Sequence, residues 1–307
     1  MNDLHQPVSG SLVGPSKALY NHDSITLFQT IPHMSTSPSP NKNCLRIGAV
    51  SYLNTKPLVY HLAERLPESQ LFFDYPSRLS DALASGDLDI ALVPSAELLV
   101  HPEWSIVSDA CIACRGPVLS VKLLFRVPPA EVQTLAMDEG SRTSCLLAQI
   151  LLREHQVTTP QLLTLPLGAQ PQDVHADAVL IIGDRAIRCD MTEFVEVWDL
   201  GDHWCRSTEL PFVFAMWVAG PGVDISGAAM AFEEARDEGS RNYPEIAQEQ
   251  SVAMKLPEEL VLEYLSKNLH FKMGKREKQG LDLFFQRATE YNLAPGALDS
   301  TSVGLTT

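Results

Sequence analysis

Two long apolar segments, SVKLLFR at 120–126 and PFVFAMWVA at 211–219, constrain this chain more than any other feature. Each reads as a buried strand. Between them stand shorter units: strands at 132–137, 162–165, 178–182 and 194–200, and a helix at 144–155 with Leu147, Ile150 and Leu151 at helical spacing. A chain that leaves one α/β unit, builds a second and returns must cross twice. Two crossings make a hinge and leave a ligand cleft between two lobes. The expected division is a first lobe of 44–120 plus 216–295 and a second lobe of 121–215.

The first lobe opens with a strand at 45–50 and a helix from Pro57 to about Leu66, since the first helical turn tolerates proline. A strand at 71–73, a helix at 77–85 closed by Gly86, and a strand at 89–93 ended by Pro94 follow. Strand–helix–strand–helix–strand is the pattern of a parallel sheet flanked by helices. After 219 only helices are expected, at about 226–237, 242–254, 257–269 and 275–291. Residues 1–43, with their Ser- and Pro-rich run at 35–41, read as a disordered extension in which Met34 is a candidate start. Residues 296–307 read as a flexible tail.

Charge narrows the partners. There are 23 Lys+Arg against 38 Asp+Glu, a formal net charge of -15. Phosphate backbones need a basic footprint, so nucleic acid is not an expected partner. An anionic small molecule would need a locally positive pocket. No apolar run approaches the ~18 residues of a membrane span, and the first residues lack the basic start and apolar core of a secretion signal. The chain is therefore read as cytoplasmic, with no membrane partner and with its oligomeric state open. Of the six cysteines only Cys111 and Cys114 form a CxxC, with no second pair at zinc-ribbon spacing, so free thiols are the preferred reading. The nine histidines form no helical ligand pair, and no metal site is expected.

Seven segments then stand in a telling order: RIGAVSYLNTKPL at 46–58, GDLDIALVPS at 86–95, GPVLSV at 116–121, SRTS at 141–144, LIIGD at 180–184, DLG at 199–201 and LPFVFA at 210–215. Together they resemble the chorismate dehydratases of the futalosine route to menaquinone, over about residues 45–291. The sequence departs from that pattern at Arg206 and Ser207, where the family usually has a Trp-Thr pair, and is looser over 111–115. The resemblance implies an α/β fold of the two-lobed, type II periplasmic-binding-protein kind. It also implies a lyase that converts chorismate to 3-(1-carboxyvinyloxy)benzoate by loss of water, without a redox or metal cofactor.

Chorismate is a dianion whose ring becomes aromatic when water leaves. The protein's tasks are to hold two carboxylates, orient the C4 hydroxyl and help a proton leave C3; positioning and preorganised hydrogen bonds suffice. Open α/β sheets bind ligands at the carboxyl ends of their strands, where helix N-termini offer N–H groups to anions. Asn54 is the leading catalytic candidate, because an amide both donates and accepts; a turn or helix-capping role is the alternative. Ser120 is second, against a buried serine bonded to backbone. Ser51, Tyr52, Thr55, Ser95, Gly116, Arg142, Thr143, Ser144, Gly183 and Asp184 are the candidate substrate-binding residues. For Thr143 and Ser144 a plain N-cap is the alternative, and for Arg142 a solvated surface charge. No histidine or paired carboxylate offers itself as a base. Glu97 and Asp184 are the nearest acids, read as a first-turn charge and as a cap or ion-pair partner. The resemblance supplies another acceptor for the C3 proton, the substrate's own enolpyruvyl carboxylate. Competing readings are a non-catalytic small-anion receptor, a regulator's effector domain and the related dihydroxynaphthoate-forming enzyme on the same fold.

Overall fold

A computed structural model describes residues 44–155 and 159–293. The expected extension at 1–43 and tail at 296–307 lie outside the described residues.

The first sheet begins as the strand–helix alternation predicts. Strands β1 (Arg46–Val50), β2 (Gln70–Asp74) and β3 (Ile90–Pro94) are joined through α1 (Leu62–Arg65) and α2 (Pro76–Ala84). β1 lies parallel between β2 and β3. Pro57 does not open an α-helix. It sits inside a 3-10 turn, Leu53–Val59, followed only by the four-residue α1. After α3 (Glu97–Val100) comes β4 (Ser105–Cys114), which sequence patterning does not reveal.

The chain then crosses to a second sheet. β5 (Val121–Phe125) and β6 (Thr134–Asp138) precede α4 (Arg142–Glu154), β7 (Gln161–Leu165) and β8 (Ala178–Ile182). α5 (Asp184–Arg188) and β9 (Glu196–Asp199) complete it, in the order β7-β6-β8-β5-β9. The return passes through α6 (Leu200–Thr208), a helix for which the sequence reading assigns no element, into β10 (Phe212–Ala219). β10 belongs wholly to the first sheet, antiparallel to both β3 and β4. All eight of its residues are buried, as befits a central strand covered on both faces.

The C-terminal part is α7 (Ala229–Arg241), α8 (Tyr243–Met254), α9 (Glu258–Glu263), β11 (His270–Lys272) and α10 (Lys275–Glu290). The expectation of helices alone fails at β11, a three-residue edge strand against β4. The first sheet thus runs β11-β4-β10-β3-β1-β2. Between α9 and β11 the chain makes a π turn, Tyr264–Asn268. Among the described residues no helix is long and apolar enough to cross a membrane.

Candidate active site

A cavity of about 460 Å³, including its open mouth, lies where the two sheets meet. The carboxyl ends of β1, β3 and β8 reach it through Val50, Pro94 and Ile182. This is the edge at which open α/β sheets bind ligands. Ile112, Val118, Val121 and Phe214 complete apolar walls. The polar groups on the wall are few: Tyr52, Asn54, Ser120, Ser141, Ser144 and the backbone of Gly183.

Each is held by local structure. Tyr52 is 8 % exposed, and its hydroxyl has no hydrogen-bond partner. Burial pushes its phenol up, and the nearby Asp138 adds to this. Its ring lies against Gly183, where a Cβ would stand 2.7 Å from a ring carbon. Asn54 sits inside the 3-10 turn and is half-buried, so it is not that turn's cap. The Thr55 hydroxyl donates to Asn54 Oδ1 at 3.4 Å. Ser120 is 2 % exposed and follows Leu119, whose φ is 60°. Asp199 fixes this left-handed step by accepting the Val118 and Leu119 N–H groups at 2.9 and 2.7 Å. Burial pushes Asp199 up, against these N–H groups, which hold it down. The backbone carbonyl of Ser120 also accepts the Gly183 N–H at 2.8 Å, which ties the crossing segment to the β8–α5 turn.

Ser141 caps α4, accepting the Ser144 N–H at 3.3 Å, and its hydroxyl lies 3.0 Å from that of Ser144. The first turn of this 13-residue helix therefore faces the cavity with polar groups and the positive end of its dipole. Asp138, fully buried beneath it, binds Arg185 at 2.6 Å and accepts from the Gly140 and Ile182 N–H groups. Burial pushes Asp138 up to about 6, against the pull of Arg185 and those N–H groups.

Of the twelve candidates, Tyr52, Asn54, Ser120, Ser144 and Gly183 line the cavity. The other seven do not. Ser51 contacts Asp74 O, and Thr55 lies buried behind Asn54. Gly116 stands in the crossing segment with extended backbone at φ 159°. Ser95 donates to Val213 O at 2.7 Å, and Thr143 Oγ1 accepts from the Ala96 N–H at 3.0 Å. Arg142 turns away from the cavity; its guanidinium binds Glu97 at 2.8 Å and Asp81 at 2.7 Å. Those two carboxylates take the charge that a substrate carboxylate was expected to take. Asp184 accepts the Leu53 N–H at 3.1 Å, and burial raises its pKa against that bond. Sequence reasoning missed the apolar walls and Asp199, whose residue types carry no signal of their own. The DLG motif at 199–201 was the available clue to Asp199. The six cysteines are free.

The sequence model of the menaquinone biosynthesis family matches residues 45–290. The chain belongs to this family. A relative within reach of direct comparison is the chorismate dehydratase of Thermus thermophilus, 29% identical over 256 residues, which are 78% of this chain and 93% of the relative. Solved structures extend the likeness in fold. A protein from Archaeoglobus fulgidus superposes with a TM-score of 0.68 at 13% identity, covering 82% of this chain and 98% of its own. The periplasmic aliphatic sulphonate binding protein of Escherichia coli follows with 0.54 at 18% identity, covering 84% and 94%. The family member described here therefore has a periplasmic-binding-protein-like α/β fold built on two mixed sheets.

Proposed function

We propose that this chain is a lyase that dehydrates chorismate to 3-(1-carboxyvinyloxy)benzoate in menaquinone biosynthesis, in a cleft between two hinged lobes. The observation that carries the reading is the cavity itself. It is lined by Asn54, Ser120, apolar side chains and the first turn of α4, in a chain of the menaquinone family.

The ring of chorismate fits walls of Ile112, Val118, Val121 and Phe214. No Lys or Arg lines the cavity, so a carboxylate is held by the first turn of α4 with Ser141 and Ser144. Thr55 occupies one lone pair of Asn54 Oδ1, which leaves the amide N–H groups for the departing C4 oxygen. The Ser120 hydroxyl, at the end of the segment that crosses into the second sheet, orients the same group. The lining residues include no Asp, Glu or His. The C3 proton goes to the substrate's own enolpyruvyl carboxylate, the acceptor that the family resemblance implies. The C3–H electrons form the new ring double bond, the C4–O bond breaks, and proton and hydroxide leave as water. Aromatisation drives the step, and the protein contributes orientation and fixed hydrogen bonds.

Incubation of the purified protein with chorismate tests this directly. The aromatic product is expected with no added nucleotide or metal, and with EDTA present. Chorismate bound and recovered unchanged would make the chain a receptor and end the proposal.

A further inference from the structure

Tyr264 is a fully buried polar side chain that the chemistry above leaves unused. It is 0 % exposed, among the apolar side chains of the core, yet its hydroxyl has no hydrogen-bond partner. A buried hydroxyl without a partner lowers stability, so a phenylalanine there would be the more stable choice. The neighbours explain its position. Burial pushes the phenol up, while the side chains of Ser120 and Asn54 beside it hold it down, although neither meets its hydroxyl in full hydrogen-bonding geometry.

The backbone holds the phenol there deliberately. Tyr264 opens the π turn, in which the Leu269 N–H bonds to Tyr264 O at 3.2 Å. Such turns are rare and concentrate at functional sites. The same turn is tied to the crossing segment, because Asn268 Nδ2 donates to Pro117 O at 2.9 Å. Pro117 lies three residues before Ser120. The π turn and the Ser120 turn are thus one fixture.

We propose that Tyr264 is a positioning residue that acts through Asn54 and Ser120. Its hydroxyl donates to Asn54 Oδ1 and accepts from Ser120 once substrate draws the two groups into line. Asn54 Oδ1 then has both lone pairs occupied, by Thr55 and Tyr264, and its N–H groups can point only into the cavity. A bond that completes only as substrate aligns the amide and the hydroxyl favours turnover over ground-state stability.

This rests on the lyase reading, and the test separates the two. Wild type, Tyr264→Phe, Asn54→Ala and the double variant are assayed with chorismate, and melting temperature is measured for each. In an active wild type, Tyr264→Phe is expected to cut kcat about tenfold, the upper end of one neutral hydrogen bond. KM should stay within about twofold and melting temperature should hold or rise, since only an unbonded hydroxyl is lost. Adding Tyr264→Phe to Asn54→Ala should cost little more, because the phenol acts through that amide. Unchanged kcat in Tyr264→Phe, a full additional loss in the double variant, or a kcat loss matched by a large fall in melting temperature would each overturn the positioning role while leaving the lyase reading intact. A wild type that does not convert chorismate removes both.

Discussion

Asn54 separates two roles that its residue type leaves joined. A capping asparagine would stand at the N-cap with its side chain bonded to the turn; that position belongs to Tyr52, with no side-chain cap bond. Asn54 instead sits inside the turn and shows its amide to the cavity. Removal of one preorganised donor costs about 100-fold or more in kcat, so Asn54→Ala should lose that much turnover. Asn54→Asp should fare as badly, because a carboxylate would face an anionic substrate. Ser120→Ala should lose less, since one neutral hydrogen bond supplies only ~0.5–1.5 kcal/mol. Melting temperature should hardly move in all three. Near-normal turnover in Asn54→Ala, or a stability loss in its place, would return Asn54 to a structural role. The same logic explains the candidates that failed to reach the cavity. Ser95 and Thr143 have the hydroxyls a carboxylate needs, but their oxygens serve Val213 O and the Ala96 N–H. Composition cannot distinguish a hydroxyl that bolts two sheets together from one that faces a ligand.

Elements were legible where a period or a stop signal marked them. β1 and β2 fall on short apolar runs, β3, β8 and β10 fall where apolar runs end in Gly or Pro, and α4 begins near its Ser cap. β4 was hidden because SIVSDACIAC has neither strict alternation nor a continuous large apolar run. α6 was hidden by Gly201, Asp202, Ser207 and Thr208, weak helix formers whose helix exists because Asp199 caps it and Trp204 buries its face. The π turn has no sequence signature at all, which is why Tyr264 could not be found from the sequence. Gly183 shows how an element boundary sets a site. Its φ of 67° permits the β8–α5 turn, and the absence of a Cβ makes room for the Tyr52 ring. Gly86, with φ 79°, has nothing within 4 Å of its Cβ position. Gly86→Ala should cost about 1 kcal/mol, the price of backbone conformation alone. Gly183→Ala should cost about 1–3 kcal/mol beyond that, because the ring must move, and turnover should fall with it. Denaturant titration and kcat for both variants check this. Equal stability losses with full activity in each would show that the Tyr52 contact is inconsequential.

At the scale of the molecule, the sheets are joined by polar bonds around the cavity as well as by apolar packing. The Ser77 N–H bonds to Gly140 O at 3.2 Å, Asp184 accepts the Leu53 N–H, and Thr143 meets Ser95 at 3.3 Å. Arg142 adds a charged link that spans two carboxylates, reaching from α4 to Glu97 on α3 and Asp81 on α2. The two arms are unequal. Glu97 is 1 % exposed, whereas the Asp81 side chain is 64 % exposed. An exposed pair contributes about 0–1 kcal/mol, but removing the partner of a buried carboxylate costs about 3–5 kcal/mol. Arg142→Ala should therefore lower the melting temperature by about 6–12 °C for a chain of this size, and Asp81→Ala should barely change it. Glu97→Gln combined with Arg142→Ala should recover much of the loss, because the stranded charge is gone. Had Arg142 bound a substrate carboxylate, as its place in the SRTS motif suggested, the pattern would invert: KM would rise steeply in Arg142→Ala while the melting temperature held. Thermal melts and substrate titrations of these three variants decide between a bolt across the sheets and a contact to the ligand.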